Sequence, residues 1–230
     1  MQVECMFDRI AWRYDFLNHF LSLGIDRGWR RKTRKLAAQY RPYDILDLAT
    51  GTGDLAIQLC KIGQVNITGI DISVKMLEIA EKKIIKKDLG RKISLLHADA
   101  EKIPFPDCSF DIVTIAFGIR NVDNIGNAIA ESFRVLRENG KFMVLEFSKP
   151  TVFPVKQLYF FYFRVILPFF GRLFSKDKNA YKYLPESVLN FPDGQNFIEF
   201  LLLAGFTHPT QKRFTGGVAT LYIADKQVKI

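Results

Sequence analysis

Ile45-Leu46-Asp47-Leu48-Ala49-Thr50-Gly51-Thr52-Gly53-Asp54-Leu55-Ala56 reads as a buried strand, a tight glycine turn and the start of a helix. Ile45, Leu46 and Leu48 form the apolar run, while Gly51 and Gly53 tolerate backbone angles that side chains resist. Asp54 is placed as the N-cap of a helix whose apolar stripe is Leu55, Leu59 and Ile62. Such a turn is expected to leave backbone amides open toward a polar or anionic ligand. Gly51-x-Gly53-x-x-Ala56 fits a loose dinucleotide fingerprint, so the glycines alone do not choose among nucleotides. Asp47 narrows the choice. A carboxylate at the carboxyl end of the first strand repels a pyrophosphate and attracts the ammonium or sulfonium of S-adenosylmethionine. Asp71 ends a second apolar stretch, Ile67 to Ile70, and stands 20 residues beyond Gly51, where an acid holds ribose hydroxyls. The alternative for both acids is ordinary turn and capping chemistry.

Strands and helices alternate beyond this unit. Asn66 to Ile70 reads as a second strand, and Val74 to Lys87 as a helix with Met76, Leu77, Ile79, Ala80 and Ile84 inward and Lys82, Lys83, Lys86 and Lys87 outward. Ile93 to His97, Phe110 to Ala116 and Lys141 to Phe147 follow as strands, with a helix from Ile125 to Leu136. Pro104 and Pro106 keep the segment after the third strand out of a helix. This alternation predicts parallel βαβ units with ligands gathered beyond the strand carboxyl ends. Those ends carry Asp47, Asp71, Asp99, Arg120 with Asn121, and Glu146 with Ser148. Taken singly, Asp99 can cap a loop and Glu146 can pair with a lysine; as a set they describe a site. A helix from Gly194 to Ala204 precedes Thr207 to Phe214 and Val218 to Ala224, which flank Gly216-Gly217 and predict an antiparallel hairpin at the sheet edge.

A chain of 230 residues with 48% hydrophobic and 25% charged residues fits one α/β domain and argues against disorder. It divides into a helical cap (1–42), a cofactor-binding core (43–150), an aromatic lid insertion (151–190) and a terminal helix with its hairpin (191–230). The net charge of +9 suits an anionic partner such as a phospholipid surface, a nucleic acid or an acidic substrate, or reflects a basic proteome. Cys5, Cys60 and Cys108 are scattered, which argues for a reducing compartment and against a metal site. The first residues lack a signal-peptide pattern, so the cytosol is the default expectation. Basic residues from Arg30 to Lys35 lie beside Trp29, either as a solvated helix face or as a surface for an anion or lipid head group. Leu158 to Phe170 is intensely aromatic, yet Arg164 and Pro168 interrupt it and it is shorter than the ~20 residues a membrane span needs. It is expected to pack on the core, to wall a site for a greasy substrate, or both.

Asp47, Gly51-x-Gly53 and Asp71 in a parallel sheet closed by a hairpin resemble the class I S-adenosylmethionine-dependent methyltransferase fold, a mostly parallel seven-stranded sheet. Tyr14-Asp15-Phe16-Leu17-Asn18, Ser22, Trp29, Phe117-Gly118-Ile119-Arg120-Asn121-Val122, Arg134-Val135-Leu136 and Leu145-Glu146-Phe147-Ser148-Lys149-Pro150 resemble the quinone-biosynthesis C-methyltransferases more closely. That family comprises demethylmenaquinone methyltransferases and 2-polyprenyl-methoxy-benzoquinol methylases. The resemblance implies that Thr52, Asp71, Asp99 and Ala100 contact S-adenosylmethionine, beside Asp47, Gly51 and Gly53. Ala116 stands where many relatives have serine, and Asp26 where many have histidine. For catalysis the resemblance puts Arg120 and Asn121 near the substrate ring, with Tyr14 completing the pocket. Asp26 is a candidate base, the alternative being a pair with Arg27 or Arg30. The implied substrate is a prenylated quinol, of naphtho- or benzoquinol type, and the charge with the aromatic stretch predicts weak contact with anionic lipid through residues 151 to 175 and the basic cluster near Arg30. The sequence leaves the oligomeric state open, a homodimer being one option, and nucleic acid is not an expected partner.

Three rivals are open to the same residues. A base-amino methyltransferase often carries an Asp/Asn-Pro-Pro-aromatic motif at the end of the fourth strand, where this chain has Ala116-Phe117-Gly118. An NAD-dependent dehydrogenase would use the Gly51 turn. A membrane scaffold that keeps a cofactor fold would use only the aromatic insertion.

Overall fold

The computed structural model describes Asp8, residues 24–162 and residues 186–227. Tyr14, most of the helical cap, and residues 163–185 of the aromatic insertion lie outside the described residues.

The strands are β1 (Asp44–Leu48), β2 (Asn66–Asp71), β3 (Ile93–His97), β4 (Phe110–Ala116), β5 (Leu136–Phe147), β6 (Thr207–Phe214) and β7 (Ala219–Asp225). They form one sheet in the order β3-β2-β1-β4-β5-β7-β6. The first five run parallel, and β7 is antiparallel to both β5 and β6. This is the mostly parallel seven-stranded sheet with a terminal antiparallel pair expected from the sequence. The strand order reverses between β1 and β4, and their carboxyl ends open the crevice that parallel sheets use for ligands.

Helices α1 (Asp26–Ala37), α2 (Asp54–Leu59), α3 (Val74–Lys86), α4 (Ile125–Val135), α5 (Val155–Phe161) and α6 (Gln195–Leu203) complete the described architecture. Side chains alternate across each strand, so each interior strand feeds two cores. Leu46, Leu48, Val113, Ile115, Phe142 and Val144 face α4 and α6, together with Phe197 and Leu201. Ile45, Ile112, Met143, Leu145 and Leu221 face α1 and α2, together with Leu55 and Leu59. Burial on both faces is why β1 and β4 read as continuous apolar runs rather than as alternating ones.

Local geometry corrects several sequence expectations. The N-cap of α2 is Gly53, left-handed at φ 79°; Asp54 is the first helical residue and pairs with Lys83 at 2.8 Å. Lys83 is therefore not one of the freely solvated lysines of α3, whose true cap is Ser73, accepting from the Met76 amide. β5 begins at Leu136, before Lys141, because a register shift between Phe110 and Ile112 lets it pair further back along β4. Trp29 is no surface residue: it is 2% exposed, packs on Phe117 and Phe147, and donates its indole N–H to Thr215 Oγ1. Arg30 is buried too, which leaves Arg27, Arg31, Lys32 and Lys35 as the exposed basic face of α1.

The crevice rim carries unusual backbone. Ala49 and Phe117, each just past its strand, have positive φ values of 46° and 58°. Non-glycine residues held there each cost on the order of 1 kcal/mol or more, and such strain clusters at functional sites. Gly118 allows the two turns to approach, since a Cβ there would lie 2.6 Å from Ala49 Cβ.

Candidate active site

Asp47 sits near the carboxyl end of β1 and is 1% exposed. Its two oxygens accept from the hydroxyls of Thr50 and Thr114, each at 2.7 Å. Burial pushes its carboxyl up to about 6, against the pull of those hydroxyls and of Arg30, which favour the charged form. It lines a narrow crevice with Arg30, Ala49, Thr50, Gly51, Thr52 and Ala116.

Asp71 ends β2. It accepts from the Gly51 amide through Oδ2 and from the Ser73 amide through Oδ1, both at 2.8 Å. The Gly53 amide bonds to the Thr50 carbonyl at 3.0 Å. The expectation that these glycine amides stay open for a ligand is thus corrected: the Gly51 amide is taken by a carboxylate and the Gly53 amide by a carbonyl of the turn itself. Burial raises the Asp71 carboxyl, opposed by the same two amides. The structure thereby brings two acids and no open anion cradle from Gly51 and Gly53 to the β1–β2 end. That donor set suits a cationic, ribose-bearing ligand and not a dinucleotide.

Thr52 has its side chain turned toward α3, where Lys83 Nζ donates to its hydroxyl at 2.9 Å. A ligand contact from this residue therefore falls to its backbone. Asp99 is exposed just past β3, with Oδ1 accepting from the Glu101 amide, and Ala100 is buried beside it. Ala116, at the end of β4, borders the crevice but brings no side-chain donor.

The second half of the site lies at the ends of β4 and β5. Arg120 Nη1 donates to Glu146 Oε1 at 2.6 Å and to the Phe117 carbonyl at 2.8 Å. Its Nε lies 3.3 Å from Ser187 Oγ, and the guanidinium sits 5.4 Å from the centre of the Phe147 ring. Asn121 Nδ2 donates to the same Phe117 carbonyl. Glu146 is fully buried, and its pairing with an arginine corrects the lysine partner that the sequence suggests. Asp26 is 2% exposed and bound to Arg30 at the start of α1, the alternative to a catalytic base. Arg30 spans the two halves, its guanidinium over the Phe117 ring and its charge felt by Asp47.

These features coincide with one family. The model of the ubiE/COQ5 methyltransferase family matches residues 1–226. The chain belongs to that family. A demethylmenaquinone methyltransferase of Bacteroides fragilis is 43% identical over 226 residues, covering 98% of this chain and 92% of that one. A ubiquinone/menaquinone biosynthesis C-methyltransferase UbiE of Geotalea daltonii is 46% identical over 228 residues, covering 98% and 96%. Among solved structures, a putative S-adenosyl-L-methionine-dependent methyltransferase of Methanococcus maripaludis shares the fold, with a TM-score of 0.67 at 19% identity over 97% of this chain and 94% of that one.

Within this ubiE/COQ5 member, sequence reasoning undervalues two residues. Arg30 reads as part of a basic helix face, yet its spacing from Asp26 is the i, i+4 spacing of a helical ion pair. Glu146 stands visibly at a strand end, but its bond to Arg120 crosses two elements, and one-dimensional spacing carries no such signal.

Proposed function

We propose that this chain transfers a methyl group from S-adenosylmethionine to a ring carbon of a prenylated quinol, most readily a demethylated naphthoquinol. The observation that carries the reading is the pairing of an acidic crevice at β1 and β2 with a buried guanidinium at the end of β4. The activities for which the similar family members are named support the substrate class. S-adenosylmethionine would be held by Asp47, Asp71, Asp99 and the backbone near Gly51, Thr52, Gly53, Ala100 and Ala116, and supplies an electrophilic methyl on a cationic sulfur.

The chain's own task is to make a poor carbon nucleophile attack. Loss of the neighbouring hydroxyl proton pushes electron density onto the ring carbon. Arg120 is permanently charged, so it stabilises the developing oxyanion rather than accepting a proton. Asn121, anchored on the Phe117 carbonyl, orients the ring, and Tyr14 is proposed to close the pocket. Holding the two reactants in line supplies much of the acceleration.

Incubating the protein with methyl-labelled S-adenosylmethionine and both demethylated quinols is expected to yield a methylated product of each, the naphthoquinol faster, as read by mass. Transfer to neither quinol would end this reading, and faster benzoquinol turnover would reassign the substrate.

Peripheral contact with an anionic membrane fits the exposed face near α5. Val152, Phe153, Leu158 and Phe161 are 58%, 76%, 64% and 56% exposed, an apolar patch on a protein of net charge +9. No helix among the described residues is long and apolar enough to cross a membrane. In liposome flotation the chain is expected to rise with vesicles rich in anionic phospholipid, and less at high salt. Equal indifference to anionic and neutral vesicles would remove the contact.

A further inference from the structure

Methylating a ring carbon releases a proton, and the catalytic candidates among the described residues do not take it. Arg120 stays charged, the Asn121 amide does not ionise, and Asp26 is bound to Arg30. Glu146 differs from all three. Its Oε1 accepts from Arg120 Nη1 at 2.6 Å and from the Phe147 amide at 2.8 Å. Its Oε2 is buried with no hydrogen-bond partner among the described residues. Buried carboxylate oxygens almost always find a donor, and a catalytic role is one of the few reasons for which a protein leaves one without.

The groups around it leave this carboxylate as the base. Arg120 faces it from the turn after β4 with its guanidinium and its backbone amide, Tyr159 from α5 and Tyr222 from β7. Burial pushes both phenols up, Tyr222 to about 12, outweighing Arg120 beside Tyr159 and the Gly194 amide on Tyr222, so each keeps its own proton and neither competes for the substrate's. Asp193 is itself tied to Lys149 at 2.9 Å.

We propose that Glu146 Oε2 receives the proton that the quinol hydroxyl gives up, while Arg120, held by the other oxygen of that carboxylate, stabilises the resulting oxyanion. The inference rests on the quinol reading of the site. The O–H bond breaks, its electron pair stays on the quinol oxygen, and the proton bonds to Oε2. Once the ring carbon carries the methyl group, the hydrogen on that carbon leaves to water as a proton and restores the aromatic ring. Glu146 then returns its proton to the oxygen, so one proton is released per turnover. Burial raises the Glu146 carboxyl above its ordinary range, opposed by Arg120, which makes it a stronger base near neutral pH than an exposed glutamate.

The test compares the parent chain with Glu146→Gln and Glu146→Asp for S-adenosylmethionine affinity, melting temperature and turnover of a demethylated quinol against pH. Glu146→Gln is expected to keep cofactor affinity within about threefold and to lose roughly 10²–10⁴ in turnover, as for removal of a general base. With S-adenosylmethionine saturating at every pH, so that protonation of Asp47 does not limit binding, the fall in turnover on the acid side should vanish with it. Glu146→Asp should keep that acid limb with a displaced midpoint. An acid limb that survives unchanged in Glu146→Gln, or an undisplaced midpoint in Glu146→Asp should the glutamine variant fail to fold, overturns the assignment. Asp47 and Asp71 give carboxylic-acid bands in both chains, so the infrared readout is the difference between the cofactor-free parent and a folded Glu146→Gln. The parent should hold one further carboxylic-acid band that grows on acidification; a difference without that band would equally count against the assignment. A parent chain that methylates no quinol sinks the substrate reading and this assignment together; an active parent with either contrary result sinks this assignment alone.

Discussion

At pH 8 the Asp47→Asn variant is expected to bind S-adenosylmethionine about fiftyfold more weakly than the parent chain, yet to melt at a higher temperature without ligand. The two effects share one cause. Burial lifts the Asp47 carboxyl from 3.8 to about 6, so the folded chain holds that proton more tightly than the unfolded chain does. A raised value means stability that is complete below pH 3.8 and is lost as pH rises through 6. The loss is about 3 kcal/mol, since each tenfold difference in proton affinity between the two states is worth roughly 1.4 kcal/mol. Asparagine keeps the shape, removes that cost, and can still bond Thr50 and Thr114 through its oxygen and amide. For a chain of this size the gain amounts to roughly 6–10 °C at pH 8, shrinking to nothing near pH 4. The affinity loss corresponds to a buried anion no longer meeting a cation, about 2 kcal/mol. Calorimetric melting across pH and titration with S-adenosylmethionine and its demethylated thioether measure both halves. A smaller loss for the thioether assigns Asp47 to the sulfonium, and an equal loss to the ammonium. Unchanged affinity for both would remove Asp47 from the cofactor site.

Arg120→Ala is expected to lower turnover by roughly 10²–10³, the usual cost of removing one oxyanion-stabilising group, while S-adenosylmethionine affinity changes less than about threefold. Stability should fall as well, because Glu146 loses its cationic partner inside the protein, a loss of about 3–5 kcal/mol for a broken buried pair. Protonation of the stranded carboxyl limits that cost at low pH. The double variant Arg120→Ala/Glu146→Gln should therefore recover melting temperature without recovering turnover. Parallel loss of cofactor affinity and turnover in Arg120→Ala would assign the residue to folding instead.

The sheet was legible because its evidence is local. β3 and β4 have the bounds read from apolar runs and their punctuation, and β6 has those read from the Gly216-Gly217 turn that announced the hairpin. Two acids at strand ends marked the acidic end of the crevice for the same reason: position along a parallel strand fixes position in space. What escaped was decided by partners far away in sequence. Whether Gly51 offers its amide or spends it on Asp71 depends on β2, and whether Thr52 faces the crevice depends on Lys83 of α3. Trp29 looks like a surface aromatic among cations, and only the phenylalanines at the ends of β4 and β5 explain its burial. Glu146 is visible as a residue type, but a relationship between β5 and the turn after β4 has no signature in spacing.

The order of the last two strands bears on how the molecule is assembled. β6 is synthesised before β7, yet β7 is the strand that joins it to the sheet. Until β7 slides between β5 and β6, the outer strand has no backbone neighbour and β5 is a bare edge. The wall that shelters Glu146 includes Thr220 and Tyr222 of β7. The half of the crevice that holds Arg120 and Glu146 thus waits for β7, whereas the acidic half is built from β1 and β2, which precede β7 in the chain and do not pair with it.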